Sequence, residues 1–177
     1  VCEVLETSGA GIPVVADPVM VAKGGARLLS EDAVATLRGR LLPLARIVTP
    51  NVPEAEVLAN MSIDDEAGAR EAADQILHDG AGAVLLKGGH MGGATVNDLL
   101  VTPEGSQVFE HPRIETTSTH GTGCTLASAI ATGIAQGREL ADAVGRAIDY
   151  VQEAIRRAPG YGSGHGPLDH GYTLRRD

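Results

Sequence analysis

The sequence predicts an α/β fold in which helices cover both faces of a mostly parallel sheet. Short apolar runs alternate with helical patterns along the chain, which favours parallel strands joined by helices. Apolar residues make up 43% of the 177 residues, with a single Phe and no Trp. A core of aliphatic side chains is typical of buried parallel strands. Because the length suits one domain, we expect residues 1–177 to form a single domain.

The expected elements follow from the apolar spacing, the capping residues and the positions of Gly and Pro. Residues 1–5 are typical of the end of a helix. Buried strands are expected at 13–17, 45–49 and 83–87, and a hairpin of strands 97–101 and 107–110 around the turn 102–106. Helices are expected at about 30–42, 51–59 and 62–80. Another helix should follow a glycine-rich turn and end at about 136, and a last helix should begin at about 139. Residues 160–167 are expected to form a loop.

Polar residues close each of the three predicted parallel strands. Asp17 closes the first strand, Thr49-Pro50-Asn51 the second and Lys87-Gly88-Gly89 the third. In open α/β sheets, ligands bind at the carboxyl ends of the strands. We therefore expect these residues to meet at one edge of the sheet, together with the glycine-rich turn.

The glycine-rich turn, Thr119-His120-Gly121-Thr122-Gly123-Cys124-Thr125, precedes an apolar helical run. A helix N-terminus offers unpaired N–H groups and the positive end of the macrodipole, and glycines allow close approach to a ligand. The turn therefore predicts a cradle for an oxyanion or a terminal phosphate. A thiolate at Cys124 could act as a base toward an alcohol or as a nucleophile. The alternatives are a plain loop before a buried helix and a Cys124 that is only a small buried hydrophobe.

Four other side chains, two of them in one motif, have two interpretations each. Asn51 and Glu54 have the spacing of a helix capping box, but their oxygens also suit Mg²⁺, directly or through water. Asp17 either simply ends a strand or anchors a magnesium–water network beside a phosphate. Lys87 is either a solvated lysine or a phosphate contact.

Composition excludes several functional classes. The formal net charge of −9 argues against nucleic-acid binding, and no apolar run has the length of a membrane span. Two cysteines make no disulfide framework, so a cytoplasmic location is expected. The histidines at 90, 120 and 165 lack metal-ligand spacing, so no zinc site is expected.

Five motifs in order carry a family resemblance. They are Asp17-Pro18-Val19-Met20, Thr49-Pro50-Asn51-Val52-Pro53-Glu54, Leu86-Lys87-Gly88-Gly89-His90, Thr119-His120-Gly121-Thr122-Gly123-Cys124 and Gly164-His165-Gly166-Pro167. Together they resemble the hydroxymethylpyrimidine/phosphomethylpyrimidine kinases of thiamine biosynthesis, in the ribokinase-like superfamily. The resemblance implies a three-layer α/β/α fold. It also implies phosphorylation of 4-amino-5-hydroxymethyl-2-methylpyrimidine, and then of its monophosphate, with ATP and Mg²⁺.

The resemblance also implies roles for individual residues. Gly121, Thr122 and Gly123 match the anion hole under the transferred phosphoryl group. Cys124 stands where the wider superfamily usually has an aspartate base, and Val19 borders the pyrimidine. Asn51 and Glu54 match the magnesium motif, and Asp17, Lys87 and Thr119 are expected near the nucleotide phosphates.

The sequence departs from the family in one respect, because it has no match to the glycine-rich N-terminal motif that covers the pyrimidine. We therefore expect the chain to be the C-terminal two-thirds of such a kinase domain, and poorly active alone. The partners implied are ATP and a small pyrimidine, with no nucleic acid and no membrane; a homodimer is compatible with the resemblance. The alternatives are a pyridoxal or hydroxyethylthiazole kinase, a non-catalytic nucleotide- or vitamin-binding module, and, with little support, a cysteine hydrolase.

Overall fold

A computed structural model describes residues 1–20 and 28–175 of the chain. The chain divides into two compact units, Val1–His111 and Pro112–Asp177, and each is described by itself. Whether the whole chain acts as a single domain stays a prediction.

The first unit is built on a five-stranded sheet in the order β1-β2-β3-β4-β5. The strands are β1 (Val15–Ala16), β2 (Ile47–Val48), β3 (Val84–Leu86), β4 (Thr95–Thr102) and β5 (Gly105–Pro112). The first three are parallel, as predicted, and β3 pairs antiparallel with β4. The predicted hairpin is confirmed with longer strands and a shorter turn, because pairing continues to Thr102 and resumes at Gly105.

The three parallel strands are shorter than the five residues predicted for each. Proline has no N–H to donate, and Pro13, Pro18 and Pro50 flank the ends of β1 and β2. Backbone pairing still continues past the strand ends, since the Lys87 N–H donates to the Pro50 carbonyl at 2.8 Å. The parallel ladder thus extends to the polar residues that follow the strands.

Four α-helices lie in the described residues of the first unit, and all but the first begin at a side-chain cap. They are α1 (Cys2–Thr7), α2 (Glu31–Thr36), α3 (Val52–Ala59) and α4 (Glu66–His78). Ser30 caps α2 and Asp65 caps α4, each side chain accepting a backbone N–H three residues on. The helix expected at about 30–42 is helical over this range, but only its first part is an α-helix. A π turn (Leu37–Leu41) and a 3-10 turn (Leu42–Leu44) follow α2, since Pro43 has no N–H to continue the helical pattern.

The core of the first unit is aliphatic, as the composition predicts. Helix α4 packs against α3, β3 and β4. The largest side chains that are fully buried in this unit include Leu42, Ile47, Leu58, Ile76, Leu85 and Leu86.

The second unit is built on two helices, α5 (Thr122–Ala135) and α6 (Leu140–Arg156), which pack closely. A Cβ atom placed on Gly133 would lie 2.8 Å from the Cβ of Ala143, so the contact requires glycine. The loop expected at 160–167 is confirmed in the main, and Pro167 forms an isolated bridge with His120. In the described parts of both units, no helix combines the length and the apolar character needed to cross a membrane.

Candidate functional site

The ends of the three parallel strands bring together a lysine and two carboxylates. The Lys87 ammonium lies 2.9 Å from Asp17 Oδ1 and 4.0 Å from Glu54 Oε2. The Thr49 hydroxyl donates to the same Asp17 oxygen at 3.0 Å. The side chain of Lys87 is only 16% exposed, so the interpretation of Lys87 as a solvated lysine was wrong. We call Asp17, Thr49, Glu54 and Lys87 the strand-end cluster.

The start of α3 fixes Glu54 within this cluster. Asn51 Oδ1 accepts the Glu54 N–H at 2.9 Å, and Glu54 Oε2 accepts the Asn51 N–H at 2.8 Å. Both halves of the capping box are therefore formed, which confirms the local interpretation of this motif. Asn51 also pairs with Lys87 in a parallel bridge, so the cap is tied to the end of β3.

Burial raises the pKa of the Glu54 carboxyl above its ordinary value, and the neighbouring Asp17 carboxylate adds to this effect. The Asn51 N–H, the Lys87 ammonium and the Met20 backbone act in the opposite direction but do not cancel the desolvation. The side chain of Glu54 is only 6% exposed. The protein thus holds a carboxylate in an unfavourable setting, a pattern common at functional sites.

We expect Glu54→Gln to stabilise the folded chain at pH 8, because it removes a buried charge and leaves an oxygen for the Asn51 N–H. A carboxyl whose pKa is raised by folding destabilises the folded protein as the pH rises above the ordinary carboxyl range, because the buried group must then ionise. The difference in Tm between variant and wild type should therefore be largest at pH 8 and shrink toward pH 4. Thermal melts across this range test the sign, and a Tm difference that grows toward pH 4 would contradict it.

The oxygens of this cluster fit a magnesium ion that arrives with a nucleotide. Across residues 1–20 and 28–175, no three His, Cys, Asp or Glu side chains are grouped to hold a metal. Mg²⁺ seldom needs such a cage, since one or two carboxylates, substrate phosphates and water commonly hold it. Glu54 and Asp17 would supply the carboxylates. The assignment of Asn51 and Glu54 to Mg²⁺ stays a prediction.

The glycine-rich turn of the second unit leads directly into α5, and its role as an anion cradle stays a prediction. Gly121 is the N-cap of α5 at φ 82°, and it offers no side-chain oxygen to the first turn. The Thr122 hydroxyl donates to the Thr119 carbonyl at 3.3 Å, which closes the turn. Cys124 is a free, exposed cysteine. Its interpretation as a buried hydrophobe was therefore wrong.

Replacing Gly121 with alanine should destabilise the protein by about 1 kcal/mol, because a Cβ is disfavoured at positive φ. Gly39 provides a matched control at helical backbone angles, and Gly39→Ala should be neutral or stabilise by up to about 1 kcal/mol. Among the described residues, no atom crowds an added Cβ at either position. Urea denaturation of both variants tests the difference, and equal effects would rule out a backbone origin.

The predicted site residues fall in both units. Asp17, Asn51, Glu54 and Lys87 meet in the first unit, as expected from strand ends. Thr119 and the cradle, Gly121 to Cys124, lie in the second unit, and the expectation that they share an edge with the cluster stays a prediction. Val19 is 40% exposed, and its N–H donates to the Asp17 carbonyl at 2.9 Å. Its contact with a pyrimidine stays a prediction.

Sequence reasoning missed Asp98 and His111. Asp98 accepts the Gly88 N–H at 2.8 Å and lies 3.1 Å from His111 Nε2. An acidic residue within the apolar run that forms β4 was the only signal in the sequence.

Comparison with known proteins identifies relatives over most of the chain. Residues 1–169 match the family model for phosphomethylpyrimidine kinase. The thiamine biosynthesis bifunctional protein ThiED of Geobacter sulfurreducens is 53% identical over 157 residues, which are 89% of this chain and 32% of that protein. The hydroxymethylpyrimidine/phosphomethylpyrimidine kinase of Bacillus subtilis is 44% identical over 165 residues, 93% of this chain and 60% of that enzyme. The chain thus spans less than two-thirds of either relative.

A solved structure shares the fold. The pyridoxal kinase from Staphylococcus aureus in complex with AMP-PCP and pyridoxal superposes with a TM-score of 0.89 at 30% identity. The superposition covers 99% of this chain and 63% of that one. This confirms the predicted three-layer α/β fold. The sheet contains both parallel and antiparallel strand pairs.

Proposed function

Because this chain belongs to the phosphomethylpyrimidine kinase family, we propose that it phosphorylates 4-amino-5-hydroxymethyl-2-methylpyrimidine with ATP, and then the monophosphate to the diphosphate. The observation that carries the proposal is the strand-end cluster, where Lys87 lies between the carboxylates of Asp17 and Glu54. Phosphoryl transfer depends mainly on positioning and charge neutralisation. The cluster supplies a cation for phosphate oxygens and carboxylates for Mg²⁺.

The metal, when bound, would neutralise charge on the nucleotide phosphates. Glu54 is held by its cap, and Asp17 by Thr49 and Lys87, so the protein keeps both carboxylates oriented before any ligand arrives. Preorganisation of this kind lowers the cost of binding a charged ligand. Lys87 would exchange part of its contact with Asp17 for a phosphate oxygen.

We also propose roles for residues of the second unit. The N–H groups at the start of α5, around Gly121, Thr122 and Gly123, would bind the transferred phosphoryl group. Cys124 would accept the proton of the substrate hydroxyl as the new oxygen–phosphorus bond forms and ADP leaves. In the second phosphorylation the attacking phosphate oxygen is already ionised, so this step needs no base.

Pyridoxal kinase activity is a second candidate, supported by the likeness to the Staphylococcus aureus pyridoxal kinase. We favour the pyrimidine, because the curated relatives named hydroxymethylpyrimidine/phosphomethylpyrimidine kinase are 40–44% identical, against 30% for the pyridoxal kinase. We also propose a cytoplasmic location, supported by the two free cysteines. A homodimer stays a prediction.

A coupled ADP-release assay tests the proposal. The chain is assayed alone and joined to the part of the Bacillus subtilis relative outside the matched 165 residues. The substrates are the pyrimidine alcohol, its monophosphate, pyridoxal and hydroxyethylthiazole. We expect ADP release only when an acceptor is present, and the fastest release with the two pyrimidines. The chain alone should have low activity. If none of the four acceptors is phosphorylated in either format, the kinase proposal is wrong.

A further inference from the structure

Strand β4 contains a buried carboxylate that the proposed reaction does not use. Asp98 is 6% exposed, and the following residues Leu99, Leu100 and Val101 are buried and apolar. A buried carboxylate is costly unless hydrogen bonds replace its hydration. An apolar side chain would fill this position at lower cost, so the contacts of Asp98 indicate what the carboxylate does.

Both carboxylate oxygens of Asp98 are engaged. Oδ1 accepts the backbone N–H of Gly88 at 2.8 Å, and Oδ2 lies 3.1 Å from Nε2 of His111. Gly88 begins the 3-10 turn after β3, and His111 belongs to β5. The side chain therefore ties the turn at the end of β3 to both strands of the hairpin.

Lys87 of the strand-end cluster immediately precedes this turn. Two consecutive N–H groups are fixed, since Lys87 donates to the Pro50 carbonyl at 2.8 Å and Gly88 donates to Asp98. The backbone of Asn97 passes so close to Gly88 that an added Cβ would overlap it. The main chain on both sides of the Lys87 Cα is thereby held in one conformation.

We propose that Asp98 is a positioning residue that holds the Lys87–Gly88 main chain, with His111 orienting its carboxylate, so that the Lys87 ammonium is preset for a nucleotide phosphate. The inference rests on the proposed kinase function for its ligand. The positioning itself rests only on contacts within the first unit. Asp98 acts through the backbone and needs no contact with the nucleotide.

Hydrogen exchange at the Gly88 amide and the Kd for MgATP test this inference together. Loss of a hydrogen bond to a charged group should speed Gly88 exchange by about tenfold or more in Asp98→Ala, and weaken MgATP binding by about tenfold. Asp98→Asn keeps an acceptor for the Gly88 N–H, so both quantities should return close to the wild-type values. Asp74→Ala, an exposed position on α4, is the matched control and should change neither.

A general loss of stability would not give this pattern, because it would speed exchange at the core amides of β3 as well. If Asp98→Ala does not fold, His111→Ala provides the test, since it leaves the Gly88 acceptor in place but releases Oδ2. It should then speed Gly88 exchange by a smaller factor, about threefold. Unchanged Gly88 exchange in the folded variant would overturn the positioning role.

The experiment separates the hold of Asp98 on the turn from its effect on MgATP binding. Faster Gly88 exchange with unchanged MgATP affinity would overturn the link to the ligand, although the hold on the turn would stand. A wild-type chain that binds no MgATP would contradict the kinase proposal and this link together. The exchange measurement would then still decide whether Asp98 holds the turn.

Discussion

Replacing Lys87 with methionine should lower the free energy of unfolding by about 2 kcal/mol, between the values typical of surface and of buried ion pairs. The ammonium lies 2.9 Å from Asp17 and 4.0 Å from Glu54, and its side chain is largely buried. Without it, two neighbouring carboxylates lack their cation. Methionine keeps most of the length of the side chain, so the effect reports charge more than packing. Urea denaturation at pH 7 measures it.

A double-mutant cycle with Asp17→Asn is the control for this result. In the Asp17→Asn background only Glu54 is left without its cation, so Lys87→Met should cost clearly less there. Mg²⁺ should also raise the Tm of Lys87→Met by more than that of the wild type, because it would replace the missing charge. Equal costs in both backgrounds would show that Lys87 and Asp17 are not coupled.

Replacing Cys124 with alanine should separate the two proposed phosphorylations. For the pyrimidine alcohol, loss of a general base should lower kcat by about 100-fold or more. For the monophosphate, whose attacking oxygen is already ionised, we expect a loss of less than about fivefold. The two kcat values are measured separately, on the chain joined to the uncovered part of the Bacillus subtilis relative.

Cys2→Ala is the matched control, because Cys2 is the second free cysteine and is buried in α1. It should leave the ratio of the two kcat values unchanged. An equal loss of both activities in Cys124→Ala would assign Cys124 a structural role at the start of α5. Full activity toward the alcohol would exclude it as the base.

Features fixed by nearby residues were predicted well from the sequence. The helix start at Ser30 was expected, because its side-chain oxygen needs only the N–H three residues on. The meeting of Asp17 and Lys87 was also predictable, although 70 residues separate them, because parallel strands end at the same edge.

Features that depend on register between distant strands were not predictable. Asp98 reaches Gly88 only because Leu86 is paired with Leu99 in the antiparallel ladder. A shift of one residue would turn Asp98 to the opposite face of the sheet. No local pattern encodes that register.

The motif at Asn51 and Glu54 shows a different limit of sequence reasoning. A capping box and a magnesium site need the same oxygens at the same spacing, so the sequence left both interpretations open. The structure confirms the capping box. The pKa of Glu54 is raised because burial removes water from the carboxylate, which disfavours its charged form. A surface cap would avoid that cost, which favours a second role for Glu54.

³¹P NMR of a single reaction mixture can show whether this chain transfers the γ-phosphoryl group of ATP to a pyrimidine, as we propose. The sample contains ATP, Mg²⁺, the pyrimidine alcohol and the chain joined to the uncovered part of its Bacillus subtilis relative. We predict a phosphate monoester signal that rises first and then gives way to a pyrimidine diphosphate, with two ADP formed per diphosphate. Release of inorganic phosphate with no phosphorylated pyrimidine, or persistence of ATP alone, would contradict the proposed kinase function.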